Sequence, residues 1–170
     1  MRQVCGNCGV DYTIAESYIP GEECPVCQRE GRSGNIQVAD GKSAIERARK
    51  ASGSVRVLVC GGRHWSDKAP IRNVLNLIPK IEVLIEGEAR GADRLAKKVA
   101  GKRKIPVKEL SAKWDKHGKA AGPIRNRKML DEGDPDIVLA FHRNLEKSKG
   151  TRDMLQKAVS EGVPAAVCRE

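Results

Sequence analysis

From residue 55 onward the chain alternates short β-branched runs with apolar stripes of helical period. Val55-Arg56-Val57-Leu58-Val59-Cys60 reads as a strand. Ile71, Val74, Leu75 and Ile78 fall at i, i+3, i+4 and i+7, the spacing of an amphipathic helix. Ser66-Asp67 offers that helix a cap, and Pro70 sits early, where a helix tolerates it. Ile81 to Ile85 is a second strand, and Ala92, Leu95, Ala96 and Val99 mark a second helix. Pro106 to Leu110 is a short third strand, followed by a helix over residues 120–132 with Ile124 and Leu130 facing inward. Asp136 to Phe141 is the most apolar strand and is expected at the centre of the sheet. Met154, Leu155, Ala158 and Val159 mark a last helix, ended by Gly162, and Val163 to Val167 closes the sheet. Repeated strand–helix alternation predicts an α/β fold, a doubly wound parallel sheet of about five strands with helices on both faces.

The first third of the chain follows other rules. Residues 1–34 read as a small knuckle, residues 35–53 as a linker with a short helix near Lys42–Lys50, and residues 54–170 as the main domain. Gly31 to Asn35 is a turn-rich exit from the knuckle. Cys5-Gly6-Asn7-Cys8 and Cys24-Pro25-Val26-Cys27 are two CxxC pairs separated by fifteen residues, the spacing of a four-thiolate zinc site. Two residues between thiolates let one tight turn aim both sulfurs at a single ion. A segment this short has too little core to fold alone, so the metal would supply folding energy. Disulfides or a redox pair are the alternatives; the polar N-terminus, Met1 to Asn7, does not look like an export signal, which disfavours disulfides. The expectation is one structural Zn2+ per chain held by Cys5, Cys8, Cys24 and Cys27. Cys60 and Cys168 lie in apolar strand contexts and are expected to be small buried residues.

Composition narrows the classes. The longest uninterrupted apolar run is Ile137 to Phe141, far short of the roughly 20 residues of a membrane helix. With 39% hydrophobic residues the chain is still globular, and with 3% aromatic its core must be Val, Ile, Leu and Ala. Membrane, collagen-like and fully disordered classes are excluded, and a cytoplasmic protein is expected. The net charge of +10 is unevenly placed: residues 1–52 carry 7 basic and 7 acidic residues, residues 53–170 carry 25 and 15. A basic domain attracts nucleotides, nucleic acid or phosphorylated metabolites.

In an open parallel sheet, ligands bind beyond the carboxyl ends of the strands. The polar motifs collect there. Gly61-Gly62-Arg63-His64-Trp65 follows the first strand, and Glu86-Gly87-Glu88-Ala89-Arg90-Gly91-Ala92-Asp93 follows the second. Arg125-Asn126 opens the third helix, and Gly150-Thr151-Arg152-Asp153 lies beyond the fourth strand. Glycines let a phosphate approach backbone N–H groups. Gly91 and Gly150-Thr151 fall at helix N-termini, which favour anions. Arg63, Arg90, Arg125 and Arg152 can fork onto phosphate oxygens. Glu86, Asp93 and Asp153 suit ribose hydroxyls, with Glu86 and Asp153 the candidate catalytic carboxylates. Trp65 or Trp114 could cover a base. No GxGxxG or GxxxxGK[ST] motif occurs, which weighs against ordinary dehydrogenase and P-loop readings.

The strand with GGRHW, then IEGEARGADRLA, AKWDKHGKAAGPIRNRKML, PDIVLAF and GTRDM together resemble the SLOG superfamily, the Rossmann-like group that includes the DprA and Lonely-guy proteins. The likeness is greatest to its YspA-like branch of bacteria and their phages, and spans about residues 55–168. It implies a pocket for nucleotides or nucleotide-derived ligands, and related folds imply a homo-oligomer. Lonely-guy members cleave N-glycosidic bonds with a PGGxGTxxE motif. Here the matching place reads Lys147-Ser148-Lys149-Gly150-Thr151-Arg152-Asp153-Met154, without the double glycine and with Met154 or Leu155 where the glutamate falls. Asp153 or Glu86 is left to serve as the carboxylate. Three functions follow: a site that senses or hydrolyses a nucleotide derivative, a nucleic-acid-binding module of DprA-like type that uses the basic domain and knuckle, or an adaptor whose knuckle docks a partner.

Overall fold

Interior strands of a parallel sheet are covered on both faces, and here Val57 to Cys60 and Ile137 to Phe141 are buried throughout. The computed structural model describes residues 3–7, 10–12, 23–28, 36–38, 44–51 and 53–169. In chain order the elements are β1 (Gln3–Cys5), α1 (Pro25–Gln28), β2 (Ile36–Val38), α2 (Ala44–Ala51), β3 (Val55–Gly61), α3 (Ala69–Asn76), β4 (Ile81–Glu86), α4 (Ala92–Lys102), β5 (Val107–Glu109), α5 (Trp114–His117), α6 (Ala121–Gly133), β6 (Ile137–Phe141), α7 (Lys149–Ser160) and β7 (Ala165–Cys168). The main sheet has the order β5-β4-β3-β6-β7, with every neighbouring pair parallel. β1 and β2 form a separate antiparallel pair, Gln3 opposite Val38 and Cys5 opposite Ile36.

Alternate strand residues feed two cores. Val57, Val59, Ile137, Leu139 and Phe141 pack with the apolar stripes of α2, α3 and α4. Leu58, Cys60, Ile85, Val138 and Ala140 pack on the other face with Met129 and Leu130 of α6 and Met154, Leu155 and Ala158 of α7. The doubly wound α/β sheet expected from the alternation is therefore present. Each fully buried aliphatic side chain contributes about 1.5–3 kcal/mol of transfer free energy.

The cysteine segment joins the second core. Cys5, Val10, Tyr12, Cys24, Val26 and Cys27 share a cluster with α7 residues. Val10 to Tyr12 runs along the exposed edge of β7: the Asp11 N–H donates to Ala165 O at 2.9 Å and Asp11 O accepts from Val167 N at 2.9 Å. This covers an edge that would otherwise offer unpaired backbone groups. The buried Asp11 carboxylate accepts the Ala44 N–H at 2.9 Å, at the positive end of α2. Within the stretch read as a linker, α2 packs Ala44, Ile45 and Ala48 onto the sheet. Cys8 and residues 31–35 lie outside the described residues.

Two expectations need correction. Ile124 is 46% exposed. The buried side of α6 is set by Ala121, Asn126, Met129, Leu130 and Gly133, and at 3.6 residues per turn position 124 falls opposite them. The central strand is β3, with β6 beside it. Both are buried on two faces, so apolarity marks an interior strand without saying which one is in the middle. The start of α3 is as expected: Asp67 Oδ1 takes the Ala69 N–H at 2.8 Å, and Pro70 occupies the first turn.

One glycine fixes how α4 meets the sheet. Gly91 has φ +80°, and a Cβ there would stand 2.1 Å from Gly62 O. The Ala92 N–H donates to that same carbonyl at 3.2 Å. Gly91→Ala should lower stability by about 3 kcal/mol, roughly 10 °C in Tm, because strain and a backbone clash combine. Gly118 also has positive φ, +50°, but faces open space. Gly118→Ala should cost about 1 kcal/mol. Equal losses in thermal melts of the two variants would contradict this packing.

Candidate functional site

The site begins where β4 ends. Glu86 is the last residue of the strand and Gly87 to Gly91 form the loop into α4. Three of the loop's N–H groups, those of Gly87, Glu88 and Ala89, are satisfied by two buried carboxylates. Asp93 Oδ2 accepts from Gly87 N at 3.1 Å and Ala89 N at 3.4 Å, and Glu86 Oε2 accepts from Glu88 N at 2.7 Å. From α6, Arg125 donates to Gly87 O and lies 3.9 Å from Asp93 Oδ2. A Cβ at position 87 would occupy the guanidinium's place, 2.0 Å from Arg125 Nη1, so a side chain there would displace the Arg125 head group.

Above this floor lies a cavity of about 590 Å3, lined by Arg63, Gly87, Glu88, Ala89, Arg90, Arg94, Ser111, Ala112, Trp114 and Arg125. It opens over the carboxyl ends of β3, β4 and β5. Arg63 lies over the Trp114 ring, 5.5 Å from its centroid. Glu88 accepts from Ser111 Oγ on the opposite wall, and that hydrogen bond is the main reason its carboxyl sits below the ordinary range. A smaller cavity of about 430 Å3 adjoins, sharing Glu88 and Arg94 and adding Glu86, Lys97 and Lys98.

Of the residues chosen from sequence, Arg63, Gly87, Arg90 and Arg125 meet at the larger cavity, with Glu86 and Asp93 in the floor beneath. Gly61 and Gly91 serve protein packing instead of ligand approach: a Cβ on Gly61 would meet Phe141 O at 2.1 Å and Ala92 Cβ at 2.7 Å. Gly62 supplies the carbonyl that receives Ala92 N–H. Trp65 is corrected outright. It is 4% exposed, packs edge-on to Phe141 with ring centroids 5.8 Å apart, and donates its indole N–H to Asp67 O at 2.6 Å. The exposed tryptophan is Trp114.

Gly150, Thr151, Arg152 and Asp153 occupy the first turn of α7 and do not line the cavity. Thr151 is buried and its N–H is taken by Ser148 Oγ at 3.3 Å, so the protein caps this helix end itself. Asp153 accepts from Asn126 Nδ2 at 2.9 Å and pairs with Lys157. Asn126 also donates to Gly150 O at 3.0 Å and accepts from Arg125 Nε at 3.3 Å. These residues form a polar buttress that carries α7 to the back of Arg125. Sequence reasoning missed Arg94 and Ser111. Arg94 looks like a solvated helix residue until α4 is seen to start at the rim.

Three cysteines form a second cluster. Cys5, Cys24 and Cys27 are buried, with Sγ atoms all within 4.8 Å of one another. Cys5 and Cys27 Sγ are 3.7 Å apart. A disulfide would need about 2.05 Å, whereas two sulfurs at about 2.3 Å from a tetrahedral ion lie about 3.8 Å apart. Asn7 Nδ2 donates to Cys27 Sγ at 3.4 Å, and Tyr12 OH lies 3.2 Å from Cys24 Sγ, contacts that fix the orientation of both sulfurs. The cluster could hold a metal ion. Gln156 Nε2 of α7 donates to Val26 O at 3.0 Å and ties the segment to the sheet's helix layer.

Comparison with known proteins fits this geometry. Residues 55–117 match the model of the YspA, cpYpsA-related SLOG family. The Gene 61 protein of Mycobacterium phage D29 is 36% identical over 118 residues, covering 64% of this chain and 92% of that one. The chain belongs to the YspA, cpYpsA-related SLOG family. Among solved structures, the SLOG chain is similar to DNA processing protein A (DprA) from Streptococcus pneumoniae, with a TM-score of 0.39 and 17% identity, over 66% of this chain and 58% of that one.

The floor of the SLOG cavity titrates near neutrality. Burial, above all, pushes Glu86 from 4.5 to about 7, with Asp93 adding to the rise. Burial likewise raises Asp93 to about 6, against the pull of Arg125 and the loop N–H groups. The folded chain thus holds the Glu86 proton more tightly than the unfolded chain does. That contribution to stability is intact below about pH 4.5 and is lost as pH rises to 7, up to about 3 kcal/mol. Glu86→Gln should therefore gain on wild type between pH 5 and pH 8 in urea unfolding. A pH-independent gap between the two proteins would contradict the burial argument.

Proposed function

We propose that this SLOG protein binds a nucleotide or nucleotide-derived phosphorylated ligand in the arginine-lined cavity. The observation that carries the reading is the convergence of Arg63, Arg90, Arg94 and Arg125 on one concave surface over the ends of three parallel strands. Such a position is where open α/β sheets take ligands. Guanidinium groups match phosphate oxygens with two parallel N–H bonds. The amides of Gly87, Glu88 and Ala89 are already taken by Asp93 and Glu86. The phosphate is therefore held by side chains, and the buried carboxylates set the shape of the floor.

A hydrolytic version of the reading would use Glu86, which lines the adjoining smaller cavity and whose carboxyl keeps a proton near neutral pH, as donor to a leaving base that reaches it there. Asp153 is committed to Asn126 and Lys157 and is not assigned a chemical role. Release of free base from a nucleoside monophosphate, abolished in Glu86→Gln, would establish that activity.

Nucleoside phosphates should bind in calorimetric titration. Arg90→Ala and Arg94→Ala remove exposed side chains and should each weaken binding roughly tenfold or more. Arg127→Ala, which loses only a surface pairing with Asp131 and Glu161, should have no effect. Salt distinguishes the nucleic-acid reading that the +10 charge invites. Binding to an oligonucleotide falls steeply with ionic strength as counterions are released. A compact ligand in the cavity responds far less, and a steep slope with no nucleotide response would transfer the function to nucleic acid.

We assign the cysteine cluster to one structural zinc ion, with Cys8 as the fourth thiolate. Four thiolates leave no open position for chemistry, and metal binding would stabilise a segment that has little core of its own. Protein purified without chelator should release about one zinc per chain on thiol modification, and Cys24→Ser should lose it together with stability. A zinc-free chain with unchanged melting would reject the assignment.

A further inference from the structure

The two tryptophans have opposite environments, and the difference names part of the ligand. Trp65 is sealed in the core, while Trp114 is 47% exposed. Among the described residues, Leu77, Trp114 and Ile124 are the large apolar side chains left exposed, and of these Trp114 lines the cavity. Its indole is supported on one side by the first turn of α6, where a Cβ on Gly122 would touch Cη2 at 3.5 Å. Arg63 lies over the ring at 5.5 Å from the centroid. An exposed indole beside four guanidinium groups has no packing role that the core requires.

We propose that Trp114 is the seat of a heterocyclic base, and that Arg63 holds this seat until a base arrives. This rests on the phosphate-binding reading of the same cavity. A flat π-system can stack on the indole in the place of the guanidinium, since both are planar and both favour the ring face. Arg63, displaced, stays within the cavity and can turn its fork to the ligand's phosphate. One side chain would then couple base recognition to phosphate binding. Stacking reads the face of a base and not its hydrogen-bonding edge, so the site should accept any nucleobase. Purines, with the larger face, should bind more tightly than pyrimidines. The ligand class is a mononucleotide or a compact derivative of one.

The probes are AMP, CMP and ribose 5-phosphate, which carries the sugar and phosphate without a base. Titration should show AMP binding wild type about tenfold or more tighter than ribose 5-phosphate, with CMP between them. Indole fluorescence should change with AMP and not with ribose 5-phosphate. Trp114→Ala should erase the preference without weakening ribose 5-phosphate binding, because it frees Arg63 for the phosphate, and Trp114→Phe should retain most of the preference. If AMP and ribose 5-phosphate bind wild type equally, or if Trp114→Ala weakens both alike, the base seat is wrong while the phosphate cavity stands. If none of the three binds, the cavity reading fails and takes the seat with it. A single-stranded oligonucleotide that binds far more tightly than AMP through the same indole would overturn the mononucleotide in favour of strand binding.

Discussion

Everything at the rim depends on the Asp93 carboxylate. It accepts N–H bonds from Gly87 and Ala89 and stands 3.9 Å from the Arg125 guanidinium, almost wholly shielded from water. Without an acceptor there, two loop N–H groups would lie buried and unpaired, at about 1–3 kcal/mol each. Burial alone would neutralise such a group, and it does raise Asp93 to about 6. The guanidinium and the loop amides oppose that rise. The outcome is a loop with a fixed shape that carries Arg90 on its outer side and Arg94 one turn into α4.

The supports of Arg125 reach further than the cavity. Its Nε donates to Asn126, Asn126 donates to Gly150 O and Asp153, and Asp153 pairs with Lys157. One face of α7 therefore holds the site, while Gln156 on the same helix donates to Val26 O of the cysteine segment. The cysteine segment also closes the β7 edge through Asp11. It is joined to the sheet by backbone pairing, a shared core and a side-chain hydrogen bond, and its packing bears on the helix that backs the site.

Strands and helix faces were legible because their signals are local: β-branched runs such as Val55 to Cys60, and stripes such as Ile71, Val74 and Leu75, mean the same thing wherever they sit. The cysteine spacing was legible for the same reason, and three of its sulfurs do converge. What stayed hidden depends on partners distant in sequence. Gly61 and Gly91 look like openings for a phosphate, yet each is small because another backbone group passes close by. Trp65 and Trp114 carry the same side chain, and only the fold decides that one meets Phe141 and the other faces arginines. The α7 N-terminus looked like an anion site from its Gly-Thr pair, but Ser148 already fills that position. Ile124 misled because a helix of mixed polarity states its inward face weakly.

The central claim concerns which part of the sheet's carboxyl rim takes the phosphate. A crystal structure with a nucleoside diphosphate bound would decide it most directly. The phosphates should lie among Arg63, Arg90, Arg94 and Arg125, over the ends of β3, β4 and β5. Phosphates at the start of α7, against Gly150 and Thr151 with the Ser148 cap displaced, would contradict the account.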